Sequence, residues 1–358
     1  MRIDRYVHQN ELKKVLKRYK LVPQKIKPVR GVLQIQTESG NFALKRSASS
    51  LEQISFVQET LEELSAVGYE HLLPWVRTQS GEPFVHYEGG IWYLTPWFGE
   101  EKESGFVGKQ AEQLVQLARF HRLSQSIAAA KTSFQQPVGE AQITQWEQQR
   151  NRLNHYLEKI EEREFRSPFD NVFINNIDYL DKAITFAIRG MERFVKTENG
   201  YPPRWTVCHG RLDPRNVVYG DKGWKWIDWD HARVASPVRD LAAYFRRFPL
   251  EKEGLDFHTA LSYYEREWEL TSKEKKLLAL YLAYPERPFR LLRHYYEKSL
   301  SVSEADSVQL LEQEMKRLQQ VQGFIRTLWP TRKNKQQVRA NKKEELLQLN
   351  QYKERKRR

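Results

Sequence analysis

Residues 206–232, "TVCHGRLDPRNVVYGDKGWKWIDWDHA", carry the densest chemistry in the chain. The short apolar runs on either side of "YGDKG" read as strands, and that pentapeptide reads as the turn between them. A hairpin there brings Asn216 and Asp228, 12 residues apart in sequence, to one place. Their side-chain oxygens are ligands of the hard type that suits magnesium. Just before it stand two cations, Arg211 and Arg215, with one acid, Asp213, between them. Trp224, Trp226 and Trp229 read as core or cleft wall. Cys208, in an apolar strand, reads as a small core residue and not as a nucleophile.

Upstream, "VLQIQT" and "NFALKR" are β-type runs separated by Ser39-Gly40, the signal of a hairpin. Lys45 ends the second run, where its ammonium could reach phosphate across a cleft. Residues 49–67 turn helical, with Leu51, Ile54, Val57, Leu61 and Leu64 on one stripe and Gly68 as the stop. Residues 72–98 read as a further hairpin broken by "SGEP" and "EGG", running to "LTPW". Beyond residue 107 the period becomes helical. Stripes run through Leu114, Leu117, Ala118 and His121, through Trp146 to Ile160, and through Phe173 to Met191. Helical patterns resume in "SPVRDLAAYFRRF", "LTSKEKKLLALYLAY" and "LLRHYYEKSL", and a last helix starts at the N-cap Ser303 and stops at Pro330. The expected fold is α+β and two-lobed. A β-rich N-lobe spans 1–98 with its hinge near 94–98, and a helical C-lobe spans 99–330 with the loop 207–230 set into it.

Apolar residues make up 40% of the 358, enough for a sizeable core, and the one cysteine excludes an intramolecular disulfide framework and suits a reducing compartment. No apolar h-region opens the chain, so no signal peptide is expected and synthesis is placed in the cytoplasm. No uncharged apolar run reaches the roughly 18 residues of a membrane span. The formal charge of +13 is unevenly spread: residues 331–358 hold 11 Lys/Arg against 3 Glu, a net +8, leaving +5 for the first 330. That basic tail is either a solvated appendage or a grip for anionic polymers. No module for sequence-specific nucleic-acid recognition is present in the sequence.

Phosphoryl transfer needs a cation on the nucleotide phosphates, metal ligands and an acid that orients the acceptor hydroxyl. Lys45, Asn216 and Asp228 supply the first two in chain order. "HGRLDPRN" followed by "WIDWD" resembles the H-G-D-x-x-x-x-N and I-D-x-D pair of the aminoglycoside phosphotransferase and choline kinase group, which has the protein-kinase-like fold. "FALK", "YLTPWFGE", "LARFH" and "VRDLAAYFRR" extend the likeness. More narrowly, "GVLQIQTESGNFALKR", "LTPW" and "AYPERPFRLLRHYYEK" resemble the CotS-type (CotS, YutH and YsxE) spore coat proteins, over roughly residues 25 to 330. The resemblance implies ATP and magnesium as candidate cofactors, other spore coat proteins as partners and the spore coat as destination. It assigns Lys45 to the nucleotide phosphates, Asn216 and Asp228 to the metal, His209 to positioning at the loop's start, and Asp240 to bracing that loop from the next helix. An acid that orients the lysine should lie on the helix over 51–64, with Glu52 and Glu59 as candidates, neither squarely in register. Only Arg30-Gly31 stands where a Gly-rich phosphate loop is expected.

Arg211 is the departure: it occupies the position of the family's catalytic aspartate. A guanidinium stays protonated and has no acceptor, so it cannot take a hydroxyl proton, and it repels a metal at Asn216 and Asp228. Asp213 is then either a displaced base or the ion-pair partner of Arg211, and the ion pair is favoured because it neutralises the nearest charge without invoking a substrate. His121 and His231 read as packing or surface residues. Three functions follow: a catalytically degenerate, kinase-like component of spore coat structure or assembly; an active small-molecule phosphotransferase using Asp213; or a module binding an anionic ligand.

Overall fold

The structure, a computed structural model, describes residues 9–87, 90–99, 109–297 and 302–329. The basic tail read at 331–358 lies outside the described residues. The chain divides into two compact units, one formed by Met1–Gln136 with Arg204–Glu269 and the other by Pro137–Pro203 with Leu270–Arg358. A β-rich amino-terminal region is followed by a mostly helical remainder, the α+β arrangement expected from the sequence.

The first unit opens with helix α1 (Gln9–Arg18) and an antiparallel sheet of β1 (Lys25–Val29), β2 (Val32–Thr37), β3 (Gly40–Ser47), β4 (Val85–Tyr87) and β5 (Gly90–Pro96), in the order β1-β2-β3-β5-β4. The β2–β3 hairpin falls where Ser39-Gly40 places it, with Thr37 opposite Gly40. Strand β5 is buried along most of its length, as its continuous "GIWYL" run requires. Val15, Leu16 and Tyr19 of and beside α1 close over Ile35, Leu44, Trp92 and Leu94 to make the sheet's core. Helix α2 (Leu51–Ala66) is capped by Ser50, whose hydroxyl accepts from Gln53 N at 3.2 Å. It ends at Gly68, where a φ of +80° and the Tyr69 N to Leu64 O bond of 3.0 Å close the last turn.

The same unit holds α3 (Gln110–Leu123) and α4 (Gln125–Ala130), and, after the excursion through the second unit, the island read in the sequence. There β6 (Thr206–Cys208) pairs with β9 (Arg233–Ala235), and β7 (Val217–Gly220) with β8 (Gly223–Trp226). Helices α7 (Val238–Arg247) and α8 (Phe257–Glu267) complete it. Trp224 and Trp226 are buried: the ring of Trp224 stacks on His71 at 3.9 Å between centroids, and Trp226 Nε1 donates to Tyr69 at 3.1 Å. The second unit contains α5 (Glu140–Glu161), α6 (Pro168–Glu198), α9 (Ser272–Ala283), α10 (Glu286–Glu297) and α11 (Glu304–Leu328).

Five elements carry no sequence expectation: α1, β1, α4, β9 and α8. In addition, residues 72–84 contribute no strand to the hairpin read at 72–98, which reduces to β4 and β5.

Candidate functional site

All side chains singled out around the loop 207–230 belong to the first unit. Lys45 lies on β3 opposite Tyr93 of β5. Its ammonium pairs with Asp228 and, at 3.0 Å, with Asp230, and it stands 5.6 Å from the Tyr93 ring centroid. Asp230 is buried and fully engaged: Ser47 Oγ donates to Oδ2 and Tyr93 OH to Oδ1, each at 2.7 Å. Burial, and next the Asp230 charge, push the Tyr93 hydroxyl well above its ordinary value, so it remains a donor. Gln53 of α2 donates through Nε2 to the carbonyls of Asp230 (3.2 Å) and Ala232 (2.7 Å), fixing the loop to that helix.

Neither glutamate candidate orients Lys45. Glu59 pairs with Lys131, and Glu52 is exposed in the first turn of α2. The acids on the lysine come from the loop itself, Asp228 and Asp230.

Asp228 has a left-handed backbone, φ 67°, which an Asp tolerates better than most residues. One carboxylate oxygen takes Lys45 and the other takes Arg211 Nη1 at 3.3 Å. Burial alone raises this carboxyl, but Lys45 and then Arg211 outweigh it and hold it below the ordinary carboxylate value. Asn216 donates through Nδ2 to the Arg211 carbonyl at 2.9 Å, and its own carbonyl receives Ile227 N at 2.9 Å. The hairpin thus sets Asn216 beside the residue preceding Asp228.

The expected Arg211–Asp213 ion pair does not form. Asp213 instead takes Arg215 Nε at 2.7 Å and Nη2 at 3.1 Å, and caps the following turn by accepting Arg215 N at 3.0 Å. The physical reason is local. An Asp before a Pro-initiated turn bonds the backbone two residues on, and the Arg215 side chain starts from that same residue. Burial pushes the Asp213 carboxyl up, but its bonds to Arg215 dominate and leave it below the ordinary value, a poor base. Arg211, released from Asp213, reaches Asp228 and stands 3.4 Å from His231 Nε2.

Behind the loop, Asp240 of α7 is buried and takes His209 N at 2.5 Å, Gly210 N at 3.0 Å and His121 Nε2 at 3.4 Å. His209 is also buried; its Nδ1 accepts from Arg211 N at 3.3 Å, so Nε2 carries the proton and donates to Ile227 O at 2.9 Å. Burial lowers its pKa and keeps the ring neutral. Gly210 is obligatory: its φ is +78°, and a Cβ would lie 2.0 Å from the His231 carbonyl oxygen. The ligand atoms of His121, Cys208 and Asp240 lie within 4.8 Å of one another. Each is already spent, with His121 Nδ1 on Tyr264 (2.8 Å), Cys208 Sγ on Ser236 O (3.2 Å) and Asp240 on two amides, so the cluster is a hydrogen-bonded brace.

A divalent cation fits poorly among these residues as they stand. Asn216 and Asp228 have the right donor chemistry, but both Asp228 oxygens already face a fixed cation. A metal entering there displaces a guanidinium and sits beside two positive charges.

A sheet carrying a lysine, a His-Gly loop, an Asn/Asp pair and a mostly helical remainder define the class: an aminoglycoside phosphotransferase-like, protein-kinase-like fold. Among solved structures it is similar to an aminoglycoside phosphotransferase from Alicyclobacillus acidocaldarius, with a TM-score of 0.75 over 92% of this chain and 96% of that one at 20% identity. It is also similar to spectinomycin phosphotransferase APH(9)-Ia in complex with ADP and spectinomycin, with a TM-score of 0.56, 16% identity, and coverage of 87% and 97%. More specifically, residues 12–328 match the family described as "Spore coat putative kinase YutH", and the chain belongs to that family. The endospore coat-associated protein YutH of Bacillus subtilis (strain 168) is 24% identical over 275 residues, covering 71% of this chain and 73% of that protein.

Proposed function

We propose that this chain is a catalytically degenerate member of its family that acts in spore coat structure or assembly rather than in phosphoryl transfer. One observation carries the reading: Arg211 stands in the place of the acid that should orient an acceptor, and its guanidinium rests on Asp228, the residue that should hold the metal, at 3.3 Å. Transfer lacks its base and its metal seat through the same side chain. The reading in which Asp213 serves as a displaced base is disfavoured, because both its oxygens are held by Arg215. The coat as site of action follows from family membership and the coat-associated relative.

ATP and magnesium are the cofactors that the kinase-like relatives suggest; one similar structure is an amicoumacin kinase in complex with AMP-PNP and Ca2+. In this chain Lys45 would meet a nucleotide phosphate only once freed from the Asp228 and Asp230 carboxylates.

The test is genetic. Asp228→Ala removes the metal seat and should leave the folded protein assembling into the coat as the unaltered chain does, followed by a fluorescent fusion in sporulating cells. Gly210→Ala, which strains the loop, should lower folded protein and coat incorporation together. Mislocalisation of a folded Asp228→Ala chain would show that nucleotide or metal binding serves assembly, and would overturn the reading.

A further inference from the structure

A groove lined entirely by the second unit has no place in the reading above. It has two halves that share Lys182, Phe186 and Trp329, with cavity volumes of about 480 and about 550 Å³. The first half is apolar, walled by Phe186, Ala283, Leu318, Ile325 and Trp329. Phe186 meets the Trp329 ring edge-on at 5.5 Å and is left 37% exposed on the face of a helix. Lys276 reaches over Trp329 from α9, 5.9 Å from the ring centroid.

The second half is cationic. Lys182, Arg189 and Arg193 follow one another at helical spacing along α6, on the stripe that also carries Phe186. Arg150 of α5 adds a fourth cation, but it is matched by Asp181, at 2.7 Å from its Nε. Lys182, Arg189 and Arg193 have no carboxylate within ion-pair distance among the described residues. Between them the Thr185 hydroxyl oxygen is buried without a hydrogen-bond partner among the described residues. Three unmatched cations beside an apolar trough make a surface complementary to a segment that is both acidic and apolar.

Net charge also weighs against two other occupants. The residues after Trp329 lead into the stretch 331–358, whose net charge of +8 has the groove's own sign. A second copy docking by a two-fold axis would lay the Arg189–Arg193 row near its own image.

We propose that this groove binds an acidic segment of a partner protein, with an apolar or aromatic side chain entering the Phe186–Trp329 half and carboxylates meeting Lys182, Arg189 and Arg193. This is a surface of the helical unit and does not depend on whether the loop 207–230 binds nucleotide.

The experiment is fluorescence polarisation of the full chain with a labelled peptide alternating Glu with Leu and Phe. Poly-glutamate of the same length, and vesicles containing phosphatidylglycerol, run beside it. The mixed peptide should bind tighter than poly-glutamate, and Arg189→Glu with Arg193→Glu should weaken it by about tenfold or more at moderate salt. Phe186→Ala should weaken the mixed peptide while leaving poly-glutamate unchanged. Arg189→Lys with Arg193→Lys keeps the charge and should keep most of the binding, which separates lost contact from lost fold. Peptide affinity that ignores all of these substitutions would place binding elsewhere on the chain and overturn the proposal. Substitutions that weaken vesicle binding but not peptide binding would overturn it as well, in favour of an anionic surface.

Discussion

Arg211 decides the chemistry of this site, and its effect is a matter of who pairs with whom. Lys45, Arg211, Asp228 and Asp230 bring two positive and two negative charges to one spot, so the site is neutralised internally. The partner of Arg211 was not legible in the sequence. Asp213 is nearer along the chain, but the turn at Pro214 commits it to Arg215, and only the hairpin closure delivers Asp228 to the guanidinium. Tyr93 and Ser47 were missed for a similar reason: they engage Asp230 through the β3–β5 pairing, in which Lys45 faces Tyr93. Asp240 was legible as an acid behind the loop only through the family resemblance, and its three donors come from two different segments. Asp240→Ala leaves the buried His209 amide and the Gly210 amide without an acceptor and the buried His121 without its partner, and chemical denaturation should show a loss of about 3–5 kcal/mol. The pH dependence has a fixed sign. His209 is held neutral below its ordinary pKa, so the unfolded chain binds the extra proton as pH falls through about 6.5. Stability should therefore drop as pH falls through about 6.5, with His71 and His231, also lowered by burial, adding to the loss, and His209→Gln should make that limb shallower in urea titrations. Asp240 and Asp228, both depressed, add a second loss below about pH 4.

At the scale of elements, the strands and helices with regular period were readable, and those without it were not. The β2–β3 hairpin, α2 and the stripes of α3, α5 and α6 follow from alternation or a 3.6-residue repeat. Strand β1, "KIKPV", was missed because it is an exposed edge strand carrying two lysines and a proline, the devices that protect a sheet edge. Helix α1 is the exception: it does carry a helical stripe, Leu12, Val15 and Leu16 with Tyr19 just beyond its end, so this miss was not for want of a pattern. The turn from β1 to β2 is only Arg30-Gly31, with φ of +43° and +94° and Val29 paired to Val32. Two consecutive positive φ values are those of a tight hairpin turn, which leaves little backbone to cradle a phosphate. Arg30→Asn relieves an arginine held in the left-handed region and should raise stability by about 0.5–1 kcal/mol in thermal melts. Gly210→Ala should do the opposite, losing several kcal/mol, since backbone, not a movable side chain, fills the space.

For the whole molecule, family and fold class were legible because ordered motifs survive where one residue changes: "HGRLDPRN" and "WIDWD" keep their spacing around a replaced acid. The partition into two units was not, because the first is discontinuous in sequence: the chain leaves it at Gln136 and returns at Arg204, and no local pattern says that two segments so far apart pack together. No described helix is long and apolar enough to cross a membrane. The basic stretch 331–358 should hold anionic polymers such as heparin in a salt-dependent way, and neutralising its lysines and arginines should remove that retention on a column. Whether Arg211 closes the metal seat is decided by a thermal shift with Mg-ATP on the unaltered chain and on Arg211→Asp. A ligand present at about a hundred times its Kd adds roughly 2.7 kcal/mol, several degrees in melting temperature for a chain of this size. The unaltered chain should show no magnesium-dependent shift at millimolar Mg-ATP, and Arg211→Asp should show one, because Asp228 regains a free oxygen. A magnesium-dependent shift of the unaltered chain that disappears in Asp228→Ala would contradict that closure.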